Sequence, residues 1–246
     1  MNIVTFESTE ELNEAGAGIV ISLLQTKPDA VLGLATGGTP VGVYEHLVKA
    51  YRKGRLSFRK ATSFNLDEYV GLPQEHPESY YSYMKQHLFD HVDLPVHQAH
   101  IPDGNAENPE EECRRYEAKL AEAKQIDLQI LGLGHNGHIG FNEPDHTLVS
   151  GTHVVELKEE TRKANARFFD SMDEVPTHAI TMGVGMILKA KTILLIVRGE
   201  DKADVVHRAL TGPIRTELPA SLLQTHPNLV VMLDQAAAKH FQTQQA

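Results

Sequence analysis

Short apolar runs alternate with helix-patterned stretches along almost the whole chain. The runs 2–6 (NIVTF), 30–35 (AVLGLA), 61–66 (ATSFNL), 126–131 (IDLQIL), 192–197 (TILLIV) and 228–233 (NLVVML) read as strands. Several are apolar at nearly every position, as strands covered on both faces must be. Between them lie helix patterns at 8–25, opened by Ser8 as a cap, at 40–53 with Pro40 in the first turn, and at 79–90, 108–124, 199–210 and 234–241. This order predicts an α/β fold, a mostly parallel sheet with helices on both faces. No repeat, low-complexity tract or domain-dividing linker interrupts it, so one domain over 1–246 is expected. The stretch 144–178 is polar and poor in strand signals, which marks it as a lid or binding loop.

Composition narrows the function classes. Hydrophobic residues make up 41% and charged residues 23%, enough to bury a core without disulfides or metals. Lys+Arg number 23 against 33 Asp+Glu, a net charge of −10 that repels a phosphate polymer. No basic patch offsets it, so no nucleic-acid partner is expected. The one cysteine, Cys113, leaves no internal disulfide and no multi-cysteine zinc site. The apolar run 15–24 follows acidic TEELNE, not the basic segment of an export signal. Neither it nor 179–188 reaches the ~20 residues of a membrane span. These features predict a soluble, cytoplasmic protein.

In open α/β sheets ligands bind beyond the carboxyl ends of the strands, which is where this chain concentrates its unusual residues. After the second strand comes Ala35-Thr36-Gly37-Gly38-Thr39-Pro40, then a helix. Two glycines allow close backbone approach, a helix start offers free N–H groups, and two threonines add hydroxyls. The segment suits a phosphomonoester and is equally compatible with a plain tight turn. It matches neither GxGxxG nor a P-loop. After the third strand comes Asn65-Leu66-Asp67-Glu68-Tyr69. Paired carboxylates can raise one pKa toward that of a general base, although an isolated Asp-Glu pair is more often a solvated helix start. After the fourth strand comes Gly132-Leu133-Gly134-His135-Asn136-Gly137-His138-Ile139-Gly140-Phe141-Asn142-Glu143-Pro144. His138 can move protons near neutral pH, with Asn136 and Glu143 to orient it. A metal held by His135, His138 and Glu143 does not match HExxH and has no further strong ligand at hand, so no metal is expected. Arg162, Arg167, Lys202 and Arg208 are the cations that could close on a phosphate.

Together the segments 32–44 (LGLATGGTPVGVY), 63–72 (SFNLDEYVGL), 76–84 (HPESYYSYM), 130–144 (ILGLGHNGHIGFNEP) and 161–169 (TRKANARFF), with the region around Lys202, resemble the glucosamine-6-phosphate deaminase family. The resemblance implies a single modified Rossmann-like domain. It implies conversion of an amino-sugar phosphate, glucosamine 6-phosphate, and water to fructose 6-phosphate and ammonia, without metal or redox cofactor. By motif position, Asp67 would move the C2 proton to C1, His138 would open the ring, and Glu143 would support His138. Thr36, Gly37, Gly38, Thr39, Arg167 and Lys202 would hold the phosphate, with Glu68 and Gly132 as further substrate contacts. Many members carry Asp at the position of Asn136. An amide there can accept a hydrogen bond from the imidazole but brings no full charge. Long members can be hexamers activated by N-acetylglucosamine 6-phosphate. This chain resembles the shorter kind, so a monomer is expected ahead of a homo-oligomer. Two other readings share this architecture. One is a 6-phosphogluconolactonase, which NEP and NLDEY disfavour. The other is a sugar-phosphate-sensing regulator, which would carry a helix-turn-helix region where this chain starts on a strand.

Overall fold

Nearly uninterrupted apolar character puts the predicted strands in the middle of the molecule. The computed structural model describes residues 1–241. Its elements are β1 (Asn2–Phe6), α1 (Thr9–Thr26), β2 (Val31–Leu34), α2 (Val41–Arg52), β3 (Thr62–Asn65), β4 (Asp67–Tyr69), α3 (Tyr80–His87), β5 (Ala99–His100), α4 (Pro109–Glu122), β6 (Leu128–Leu131), β7 (His153–Glu156), α5 (Glu159–Asn165), β8 (His178–Thr181), α6 (Val184–Ile187), β9 (Thr192–Val197), α7 (Ala203–Thr211) and β10 (Leu229–Asp234). Seven strands form one sheet in the order β1-β10-β9-β6-β2-β3-β5, parallel at every pairing. Every residue of β2 and β6, and all but the first of β9, is buried. Both faces of the sheet are therefore covered, as its apolar runs required. The expected mostly parallel, Rossmann-like α/β architecture is the one observed.

Helix ends follow local chemistry. Ser8 accepts the Glu11 N–H at 3.1 Å while Glu11 reaches back to the Ser8 N–H at 3.3 Å, a reciprocal cap for α1. Asn108 caps α4, with Pro109 at its first position. Among the described residues no helix is long and apolar enough to cross a membrane.

Three expectations are corrected. The stretch 144–178 holds a strand, β7, and a helix, α5. β7 joins β4 and β8 in a small antiparallel sheet, ordered β4-β8-β7. The segment 234–241 is not a helix. The Asp234 carboxylate does take the Ala237 N–H at 2.8 Å, but it also takes the Gly199 N–H at 3.0 Å, and a succession of turns follows β10. The helix expected from 199 begins at Ala203, because Gly199 sits at φ +94° and residues 200–202 form a single tight turn.

The small sheet has its own apolar cluster, built on Tyr69, Leu72, Phe141, Leu157 and Ala179. Its first strand begins two residues after β3 ends, pairing Asp67 with Thr181 and Glu68 with Ile180. The acidic pair is thereby held on a strand at the carboxyl edge of the main sheet.

Candidate active site

The carboxyl ends of β2, β3, β6 and β9 surround a cavity of about 530 Å³. Asp67, His138, Gly132, Arg167, Lys202 and the loop Thr36–Thr39 all line it.

Along the loop Thr36–Thr39 the backbone is arranged for an anion. Gly37 lies at φ +84°, which a side chain would disfavour. Three carbonyls of the segment 35–38 are engaged elsewhere. Tyr44 Oη donates to Ala35 O, Tyr83 Oη to Gly37 O, and Arg198 Nη2 to Gly38 O, each at 2.6 Å. Among the described residues, the N–H groups of Gly37, Gly38 and Thr39 have no protein acceptor. Lys202 Nζ donates to Leu133 O at 2.8 Å. Burial pushes its pKa down to about 8, with nearby Asp201 opposing and Arg167 adding to the fall. Arg167 lies just after α5, its guanidinium 4.7 Å from the centre of the Phe168 ring.

The acid–base candidates Asp67 and His138 line the same cavity. Asp67 is 6% exposed, and its pKa is raised to about 8, first by burial and then by the Glu68 charge. Glu68 does not line the cavity, so the substrate contact expected of it is not where the structure puts this residue. Its carboxylate accepts the N–H groups of Tyr69, Tyr80 and Tyr81 at 2.9, 3.0 and 2.9 Å. It thus anchors the start of α3. Burial raises its pKa to about 7 in spite of those bonds.

His138 fits where Gly134 has no side chain: a Cβ there would come within 2.4 Å of the imidazole. His138 Nδ1 is 3.5 Å from Glu143 Oε2. Contrary to the expectation from its position, Asn136 does not accept from the imidazole. Its Nδ2 donates to Glu143 Oε2 at 2.8 Å, and its Oδ1 accepts the His138 backbone N–H at 3.2 Å. Burial works to raise the Glu143 carboxyl, but the adjoining His138 and Asn136 outweigh it and hold the carboxyl below its ordinary range. The three residues weighed as metal ligands do not converge, because His135 turns to Asp201 at 2.7 Å. Among the described residues no cluster of three or more His, Cys, Asp or Glu side chains could hold a metal ion.

Of the other basic candidates, Arg162 donates to the carbonyls of Met172 and Val175 at 3.2 and 2.9 Å, outside the cavity lining, and Arg208 does not reach the cavity. Arg198 and Tyr80 are among the lining residues that the sequence did not single out. Arg198 is the first residue after β9, the kind of position that the strand-end rule singles out. Tyr80 opens α3 and carries no local signal.

The chain matches the family model described as "Glucosamine-6-phosphate isomerases/6-phosphogluconolactonase" over residues 7–232. A Clostridium perfringens protein named glucosamine-6-phosphate deaminase is 50% identical, over 97% of this chain and 99% of its own. One of the same name from Bacillus pumilus is 49% identical, over 96% and 98%. A solved structure described as a monomeric glucosamine-6-phosphate deaminase superimposes with a TM-score of 0.95 at 47% identity, over 97% of this chain and 99% of that one. The 6-phosphogluconolactonase of Leishmania guyanensis superimposes with a TM-score of 0.76 over 97% of both chains, at 20% identity, and so shares the fold alone.

Proposed function

We propose, since this chain belongs to the glucosamine-6-phosphate isomerase and 6-phosphogluconolactonase family, that it converts glucosamine 6-phosphate and water to fructose 6-phosphate and ammonia. The relatives that cover its full length at about 50% identity carry the deaminase name. The lactonases share only its fold. The observation that carries the reading is one of placement. An acid–base pair, Asp67 and His138, lines the same cavity as a cationic, N–H-rich cradle suited to a phosphate.

In this reading the loop Thr36–Thr39, Lys202 and Arg167 hold the phosphate with charge-assisted hydrogen bonds. His138 takes the proton from O1 of the cyclic sugar and delivers one to O5, which opens the ring. Glu143, 3.5 Å from Nδ1, steadies the imidazole as it charges. Asp67 then removes the C2 proton, which the adjacent C1 carbonyl has made acidic. The electron pair of the C2–H bond becomes the C1–C2 double bond of an enolamine, and O1 gains a proton. Returning the proton to C1 makes an iminium at C2. Water adds to it, and ammonia leaves to give the ketone. A base with its pKa near 8 is strong enough for a carbon acid and still ionised in part at neutral pH. This is hydrolysis of a C–N bond, coupled to an aldose–ketose shift and suited to cytoplasmic N-acetylglucosamine catabolism. We place a lid within 144–178, where α5 and the turn after it carry Asn165 and Arg167 to the cavity. We also infer a monomer, in keeping with the description of the solved relative.

Release of ammonia and fructose 6-phosphate from glucosamine 6-phosphate, without acid release from 6-phosphogluconolactone, is the expected assay result. Lactone hydrolysis without ammonia would place the chain in the other branch of the family.

A further inference from the structure

We infer that Arg198 is a positioning residue of the phosphate cradle, fixing the Gly38 peptide and adding a permanent cation beside the loop Thr36–Thr39. The inference rests on the sugar-phosphate reading above and deepens it.

The argument starts from the sheet. β9 and β2 are separated by β6, so their ends lie about 10 Å apart at the usual strand spacing. Arg198, the first residue after β9, nevertheless donates from Nη2 to the Gly38 carbonyl in the loop after β2, at 2.6 Å. Between them β6 runs out into Gly132-Leu133-Gly134, where two of three positions have no side chain to obstruct the crossing. In a trans peptide the C=O and N–H point in opposite directions. Holding the Gly38 carbonyl therefore fixes the direction of the Thr39 N–H. Tyr83 does the same for the Gly38 N–H through the Gly37 carbonyl.

Among the described residues the guanidinium charge is not spent on a carboxylate. Asp201 is engaged by His135 and Glu200 by Lys239, at 2.7 and 2.6 Å. Asp234 accepts the N–H groups of Gly199 and Ala237. Arg198 itself lines the cavity. A guanidinium has five N–H donors, so one bond to Gly38 leaves others for an anion, and its charge does not titrate in the working range. Lysine offers the charge without the fork.

The test is calorimetric titration of fructose 6-phosphate and, separately, inorganic phosphate into the wild type, Arg198→Met and Arg198→Lys, with steady-state kinetics alongside. Arg198→Met is expected to weaken both ligands and raise KM by about 10- to 100-fold, the loss of one or two charge-assisted bonds. Its kcat should stay within about threefold, because the lost interaction is common to ground and transition states. Arg198→Lys should recover part of the affinity. Unchanged binding of both ligands by Arg198→Met, or a fall in kcat at constant KM, would overturn the inference. A wild type that binds inorganic phosphate but not fructose 6-phosphate would defeat the substrate reading instead, leaving the Arg198 comparison to be decided on phosphate. A wild type that binds neither would overturn both.

Discussion

Asn136 gives its side-chain amide to the Glu143 carboxylate at 2.8 Å. It is a neutral donor to the carboxylate that faces His138, and its own side chain accepts from the His138 backbone, not from the ring. Asn136→Asp would set two carboxylates against each other, raising the pKa of one, and full ionisation of the pair would favour a charged imidazole. In the proposed mechanism ring opening begins with the neutral imidazole. The acid limb of the kcat/KM profile should therefore move to higher pH, with the maximum preserved because neither residue is the C2 base. An unmoved limb would separate this pair from the ring-opening step.

Gly134 makes room for His138. Gly134→Ala would bring a Cβ within 2.4 Å of Cδ2, Cε1 and Nε2, closer than any real contact, and the side chain is the part free to yield. Turnover should fall by roughly 10²-fold, the scale of a lost general acid–base group, while circular dichroism stays that of the wild type. Near-normal turnover in a variant whose ring is shown to be displaced would take His138 out of the chemistry.

Asp67 and Lys202 have been pushed toward the same pH from opposite sides, the carboxyl up to about 8 and the ammonium down to about 8. In the proposed mechanism the base works when ionised and the anchor when protonated. The free-enzyme profile, kcat/KM against pH, should be a narrow bell near pH 8. Lys202→Arg keeps its charge at every working pH, so its descending limb should move upward while the ascending limb stays. A descending limb unaffected by that change would assign it to another group.

Burial of the acidic pair also has a cost in stability. Asp67 and Glu68 bind their protons more tightly in the folded chain, at about 8 and about 7, than in the unfolded chain, near 4. The unfolded state therefore holds fewer protons between those values. The pair's contribution to stability is fullest below about pH 4 and falls as the pH rises toward 8. Asp67→Asn removes the Asp67 share. Its urea midpoint should drop less than that of the wild type between about pH 5 and 8, by a difference worth ~1 kcal/mol or more. Parallel losses in the two proteins would mean that Asp67 is not desolvated.

All six strands of the main sheet marked by apolar runs were legible, and so were the starts of α1, α2, α3 and α4, because burial on both faces and end-capping leave local traces. The remaining strand of that sheet, β5, is two residues long and leaves no such trace. The small sheet was not legible. β4 is three residues long with two acids, and its partner β8 lies more than a hundred residues away, so no local pattern shows the pairing. The loop 36–39, Asp67 and His138 stood out because glycines and titratable groups directly follow apolar strands. What each side chain would touch did not. Glu68 looked like a site residue and anchors α3, while Arg198, which nothing in the sequence singled out, reaches across β6. Those contacts depend on spatial neighbours that strand order alone creates.

The central claim is that Asp67 moves the C2 proton inside a cavity that binds the sugar by its phosphate. Asp67→Asn keeps the shape of the side chain and removes its basicity. Measured as ammonia release from glucosamine 6-phosphate, its kcat should fall at least ~10²-fold, while its dissociation constant for fructose 6-phosphate stays at the wild-type value. A kcat near that of the wild type would contradict the account.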